Sequence, residues 1–171
     1  MKLADKISLK LQQYVCQGNT DIVIPNYFVG FYEMDLFRLL QSGMLWEYEI
    51  KISRGDFKND FKKGSKHILM SNKKGHCNRF YFVTPKGLIH TNEVPSYAGL
   101  IEFNVCENGE VGLMQVIKNA PMIHKEKVTL DFYKTIAYKL SFRERSTRAV
   151  LRIQAFKNAE RYRLTKTAPQ N

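Results

Sequence analysis

The sequence predicts a mixed α/β or α+β fold in a single domain, and three observations predict it. Apolar residues recur at helical spacing near both ends of the chain. Short strand-like runs bounded by turn residues fill the middle. No linker or internal repeat separates these parts, and 171 residues suit one domain.

Residues 3–15 read as a helix, because Leu3, Ile7, Leu11 and Tyr14/Val15 form one apolar stripe. Gly18-Asn19-Thr20-Asp21 ends it. Ile22-Val23-Ile24 is a short β-branched run stopped by Pro25, and residues 26–40 contain a second strand. Gln41-Ser42-Gly43 is a turn. Residues 45–53 then alternate, with Trp46, Tyr48, Ile50 and Ile52 on one face and Glu47, Glu49, Lys51 and Ser53 on the other. Ser53 and Asp56 both suit the N-cap of a helix running to about Lys63, with Phe57 and Phe61 on its buried side. Residues 64–78 are basic and mixed and receive no element. Arg79–Thr84 is an aromatic strand closed by Pro85, followed by short strands at 87–89, 99–103 and 111–117. From Val128 the helical rhythm returns through Phe132, Ile136 and Leu140. Ser141-Phe142-Arg143-Glu144 has the capping-box pattern, so a further helix is expected to start near there. The chain is polar from about Arg163.

Composition excludes several classes. No stretch approaches the ~20 apolar residues of a membrane helix, so no membrane partner is expected. The first residues lack the apolar block of a secretory signal. Cys16, Cys77 and Cys106 are too few and scattered for a disulfide framework or a zinc knuckle. The cytoplasm is the expected compartment. The net charge of +11 is uneven. Residues 54–79 hold eight basic against two acidic residues, and residues 127–166 hold eleven against three. Two basic segments point to a polyanion partner, with solvated basic helices as the competing reading.

The informative stretch is Glu33-Met34-Asp35, a turn, then Glu49-Ile50-Lys51. A tight hairpin centred on Ser42 places Asp35 opposite Glu49, and Glu33 opposite Lys51, on one sheet face. Two facing carboxylates repel, and a divalent cation between them reverses that sign. Mg²⁺ favours one or two carboxylates, waters and a substrate phosphate. Lys51 would stand beside it as a fixed positive charge. The competing reading is a solvated strand face, and a one-residue slip would send Asp35 to the other side.

Asp35, Glu49-Ile50-Lys51 and Ser53-Arg54-Gly55-Asp56-Phe57-Lys58-Asn59-Asp60 resemble the PD-(D/E)XK nuclease superfamily, and more narrowly its MmcB-like DNA-repair group and related small phage and bacterial proteins. Arg79–Pro85 and Val94-Pro95…Ala98–Ile101 also look like that group. Met34 stands where the superfamily name expects Pro. The resemblance spans about residues 22–103 and implies a restriction-endonuclease-like core, a central mixed sheet flanked by helices; a single domain of that fold is expected over residues 1–165, with a polar tail at 166–171. It implies a metal-dependent nuclease hydrolysing phosphodiester bonds in DNA, in repair, recombination or phage DNA metabolism. Asp35, Glu49 and the Ile50 carbonyl would hold Mg²⁺ or Mn²⁺, and Lys51 would act on the attacking water or the phosphate. Glu33 would be a supporting acid or a partner for Lys51.

Arg54, Lys62, Lys63, Lys66, His67, Arg143 and Arg148 are candidate nucleic-acid contacts. A polar surface role for His67 competes with that. Asp56 reads as a helix cap and Asp60 as a surface acid. Tyr81 and Phe82 could stack bases, although one of them is expected in the core. A homodimer is open, since cutting two strands often takes two sites. The rival functions are a catalytically silent nuclease-fold protein that binds nucleic acid, and a basic scaffold or regulatory protein. The charge pattern generates one test: with six phosphates neutralised, log K for duplex DNA should fall with log[salt] at a slope of about −5. Filter binding across a salt series measures it, and a flat response removes nucleic acid as the partner.

Overall fold

A computed structural model describes residues 1–18, 20–30 and 32–167, with side chains to residue 158 apart from that of Lys63. Of the expected tail at 166–171, residues 168–171 lie outside the described residues. The chain forms two units, residues 1–127 and 128–171. No helix among the described residues is long and apolar enough to cross a membrane.

The first unit is an α+β arrangement around a six-stranded mixed sheet in the order β1-β2-β3-β4-β5-β6. Helix α1 (Leu3–Cys16) comes first, then β1 (Ile22–Val29), β2 (Tyr32–Leu39) and β3 (Leu45–Ile50) as an antiparallel meander. Helices α2 (Arg54–Asp60) and α3 (Ser65–Ser71), joined by a 3₁₀ turn, carry the chain over to β4 (Arg79–Pro85), which runs parallel to β3. Strand β5 (Ala98–Val105) is parallel to β4, and β6 (Val111–Lys118) closes the sheet antiparallel. A parallel neighbour needs a crossover of a dozen or more residues, which the α2–α3 segment supplies.

Each helix covers one sheet face. Ile7, Leu11 and Val15 of α1, four residues apart as the stripe requires, pack with Leu36, Tyr48, Ile50, Tyr81, Val83 and Phe103. The opposite face presents Phe80 and Phe82 to Phe57 and His67 on α2 and α3. The β2–β3 register follows the turn at 41–43, where Gly43 takes φ +82 and its N–H bonds the Leu40 carbonyl at 2.9 Å. Leu36 pairs with Tyr48 and Phe37 with Glu47, the register the sequence implied.

Four expectations are corrected. Strand β1 continues through Pro25, because an edge strand can spare the missing N–H donor. Residues 65–71, left without an element, form α3. Residues 87–89 form a turn with Gly87 at φ +72, although Ile89 is buried as a strand residue would be. In the second unit α4 (Leu130–Thr167) runs without the break expected near Ser141. Residues 130–167 contain no Gly or Pro, and Ser146 and Thr147 donate back to the Phe142 and Arg143 carbonyls, so nothing interrupts the helix.

Gly99 on β5 is required by close approach. A Cβ there would lie 2.6 Å from the Ala120 nitrogen and 2.6 Å from the Tyr81 ring. Gly99→Ala should therefore destabilise the first unit by about 1–3 kcal/mol, the usual range for overpacking. Urea unfolding followed by tyrosine and tryptophan fluorescence gives the value.

Candidate active site

Strand β3 alternates as expected, but its polar side is not solvated. Glu47, Glu49 and Lys51 are all buried beneath α2 and α3. The segment folds this way because Ser53 caps α2, its Oγ accepting the Asp56 N–H at 3.1 Å, while Phe57 and Phe61 turn inward against Phe82. Ser53 is thus the cap. Asp56 sits in the first turn, about half exposed, with its carboxylate 3.8 Å from the Lys51 ammonium.

The centre of the site is Glu49. Its Oε1 accepts from Lys51 Nζ at 2.8 Å and its Oε2 from Lys66 Nζ at 2.6 Å. Lys66 also pairs with Glu47 at 2.6 Å, and Tyr32 donates its hydroxyl to Glu47 Oε2 at 2.9 Å. Lys51 reaches a second acid, Asp60, at 3.0 Å. His67 bonds the other Asp60 oxygen through Nε2 at 2.9 Å and the Tyr97 hydroxyl through Nδ1 at 2.7 Å. One chain of polar contacts therefore links Tyr32 to Tyr97.

Asp35 stands at the open edge. Continuing the register past Leu36 and Tyr48 sets it opposite Glu49, and its Oδ2 accepts the Ile50 N–H at 2.7 Å. The N–H and C=O of a strand residue point to the same side, so the Ile50 carbonyl faces Asp35 too. Asp35, Glu49, Ile50 and Lys51 all line one groove of about 610 Å³, bordered by α1 and β1.

Electrostatics separates the acids. Burial and the Glu49 charge push the Asp35 carboxyl up to about 6, against the pull of the Ile50 N–H, Lys51 and Lys66. Burial raises Glu47 as well. Burial alone would raise Asp60, but the His67 hydrogen bond and the Lys51 and Lys66 charges hold it well below the carboxylate range. Burial alone would lower both lysines. Glu49 and Asp60 outweigh it at Lys51, and Glu47 and Glu49 at Lys66, so both ammonium groups are held above their ordinary value.

Asp35, Glu49, Ile50 and Lys51 thus come together, while several other assignments change. Lys66 is buried between Glu47 and Glu49, and His67 is buried between Asp60 and the Tyr97 hydroxyl, so neither is a surface phosphate contact. Asp60 is buried, not a surface acid. Glu33 is exposed and pairs across to Phe28; β2–β3 pairing stops at Leu36, and Lys51 takes its acids from Glu49 and Asp60 instead. Tyr81 and Phe82 are both buried, which leaves neither for base stacking. Arg54 is tied to Glu93 at 2.5 Å and to the Leu88 carbonyl at 3.0 Å. Lys62 is exposed, and the Lys63 side chain lies outside the described residues. Arg143 and Arg148 are exposed on α4, with Arg148 paired to Glu144.

The sequence assigns no site role to Glu47, Asp60, Tyr32 or Tyr97, and it places Asp60 at the surface. Two signals were present: Glu47 shares the parity of Glu49, and Asp60 follows Phe57 by three residues on one helix face. Nothing comparable marked Lys66.

Among the described residues no three His, Cys, Asp or Glu side chains gather as a metal cluster. Two carboxylates and a carbonyl nevertheless suit Mg²⁺, which keeps most of its shell as water and substrate oxygen. Asp35, Glu47, Glu49 and Asp60 against Lys51 and Lys66 leave a formal −2, which a divalent cation would neutralise.

No family model and no curated protein matches the chain. A solved structure does: a protein of unknown function from Silicibacter pomeroyi, SPO1766, 18% identical, with 94% of each chain covered and a TM-score of 0.57. At that identity the likeness concerns the fold.

The Asp35 shift carries a pH dependence. A carboxyl that binds its proton more tightly when folded contributes stability below its ordinary 3.8 and loses it as pH rises through about 6. Asp60, shifted the other way, acts only at lower pH. In chelator, stability should fall between these two pH values by on the order of 2 kcal/mol, discounting for partial exposure. Asp35→Asn should flatten that fall and be the more stable protein at neutral pH. Urea midpoints across the pH range decide it.

Proposed function

We propose that the chain is a metal-dependent nuclease of the PD-(D/E)XK kind, hydrolysing phosphodiester bonds in DNA during repair, recombination or phage DNA metabolism. One observation carries the reading. Asp35 and Glu49 face each other in an open groove with Lys51 on the same strand face, and Asp35 is destabilised there unless a cation joins the pair. The mixed sheet with helices on both faces is the architecture such a site needs.

Asp35, Glu49 and the Ile50 carbonyl would hold Mg²⁺ or Mn²⁺. When bound, such a cation supplies Lewis-acid polarisation of the phosphate and an acidified water. The residues of the chain do the rest. Lys51 stays protonated, so it donates a charge and cannot serve as the general base. Of its three N–H donors, Glu49 and Asp60 take two, leaving one for a phosphate oxygen. That donor is preorganised where negative charge develops on the phosphate. Asp60, kept anionic by His67, positions Lys51 without touching substrate. Lys66 bridges Glu47 and Glu49, so its single positive charge is shared between the two carboxylates.

A second reading, nucleic-acid binding without cleavage, draws on a specific observation. Both Glu49 oxygens already accept from an ammonium group, which occupies a ligand the cation requires. Thermal melting with Mg²⁺ or Mn²⁺ separates the two, because a cation that binds only the folded form must raise the melting temperature. Glu49→Gln, chosen because truncation would strand two buried lysines, should abolish both the cation-induced shift and cleavage. Lys51→Gln, chosen because truncation would strand Glu49 and Asp60, should keep the shift and slow single-turnover cleavage by on the order of 10²–10³. A parental protein that binds DNA, shows no cation shift and never cuts would favour the second reading.

A further inference from the structure

We infer that the groove beside Asp35 and Glu49 seats an unpaired nucleobase, so that the substrate class is a single-stranded end or flap. The inference rests on the nuclease reading and adds the form of the substrate to it.

Charge makes the first argument. Among the side chains lining the groove, four are carboxylates, Asp5, Asp35, Glu49 and Asp56, against one ammonium, Lys51. A sugar-phosphate backbone laid along it would meet net repulsion. The neutral part of a nucleotide would not, and its phosphate could stay at the Asp35–Glu49 end, where the cation belongs.

Shape and chemistry make the second. At about 610 Å³ the groove lies within the ~300–1,000 Å³ typical of small-ligand sites. Leu9 and Ile52 line it with 49% and 41% of their surface exposed, and Pro25 joins them. These are apolar contacts suited to the flat face of a base. The uncharged polar groups in the same lining include two carboxamides, Gln12 and Asn26. Gln12 Nε2 donates to the Ser8 carbonyl at 3.2 Å, which leaves Oε1 as an acceptor. Carboxamides are the side chains that read a base edge with a donor and an acceptor together.

Asn26 makes the third. It lies inside β1 at φ +51, a left-handed conformation costing roughly 1–2 kcal/mol for most side chains. Its neighbours Pro25 and Tyr27 pair with Leu36 and Met34, so the kink falls opposite Asp35. The distortion brings a carboxamide to the groove one strand away from a proposed metal ligand. A paired base has its Watson–Crick edge occupied and must be extruded to enter, whereas a single strand avoids most of that cost.

The test uses a fluorescent adenine analogue placed in a short DNA strand, alone and in a blunt duplex of the same sequence, with Mn²⁺ present. Fluorescence reads base environment and affinity, and gel analysis reads cleavage. The single strand should bind at least about tenfold tighter than the duplex, with a change in fluorescence. Asn26→Gly keeps the left-handed backbone and removes the carboxamide. It should weaken single-strand binding by on the order of tenfold at an unchanged melting temperature. Equal binding of strand and duplex, or an Asn26→Gly protein that binds like the parent, overturns the inference. Cation-dependent cutting of duplex with no strand preference overturns it while keeping the nuclease reading. Single-strand binding that depends on Asn26 without cutting supports the base pocket and sinks the nuclease reading.

Discussion

The layer between the sheet and α2–α3 depends on one constraint: three buried carboxylates, Glu47, Glu49 and Asp60, must each touch one of two buried ammonium groups, Lys51 and Lys66. An uncompensated charge at such depth costs several kcal/mol. The pairings are therefore obligatory, and they fix positions as much as they stabilise. Lys66 can reach Glu47 and Glu49 only if α3 lies over β3. Asp60 can reach Lys51 only if α2 starts immediately after it, which the Ser53 cap ensures. Removing one partner is expected to be worse than removing a whole pair, because the remaining charge stays buried. The aromatic cluster of Phe57, Phe61, Phe80 and Phe82 around His67 keeps water from these pairs and strengthens each of them.

Asp35 is the member left outside these pairings. It has an acceptor role toward Ile50 but no ammonium of its own, and it confronts the Glu49 charge. Glu47, Glu49 and Asp60 against Lys51 and Lys66 already leave one negative charge, and Asp35 adds a second at the groove edge, where a ligand can reach it. A protein built for stability alone could place a neutral residue there at little loss. The retained acid is the kind of local expense that a ligand-dependent function explains.

Legibility from the sequence followed the physical strength of each signal. The meander was readable because a three-residue turn with Gly43 allows one register, and that register sets Asp35 against Glu49. Helix α1 was readable because Ile7, Leu11 and Val15 obey one period. Helix α3 was not. Its buried residues are Lys66, His67 and Met70, while Ile68 is 60% exposed, so the usual in-and-out pattern is reversed. Polarity normally marks the solvent side of a helix, and the charge count of residues 54–79 accordingly assigned Lys66 and His67 to the surface. The same inversion hid Asp60. Only the partners across the interface, Glu47 and Glu49, make an inward lysine sensible, and they lie seventeen or more residues away in the chain.

The departures from local rules concentrate in one place. Lys66 and Asp60 face inward, Asp35 is raised toward neutrality, and Asn26 is left-handed within a strand. Elsewhere the first unit mostly follows local rules: apolar residues face α1, Gly18, Gly43 and Gly87 occupy turns, and the edge strand carries the proline. Sequences that specify one fold tend to agree across levels except where function intervenes. Independent strain at four neighbouring elements would be hard to retain by chance, since each instance lowers stability without improving the core. The charge excess and the kink of β1 meet at the same groove, and this convergence ties the chemistry proposed for Asp35, Glu49 and Lys51 to the pocket proposed beside them.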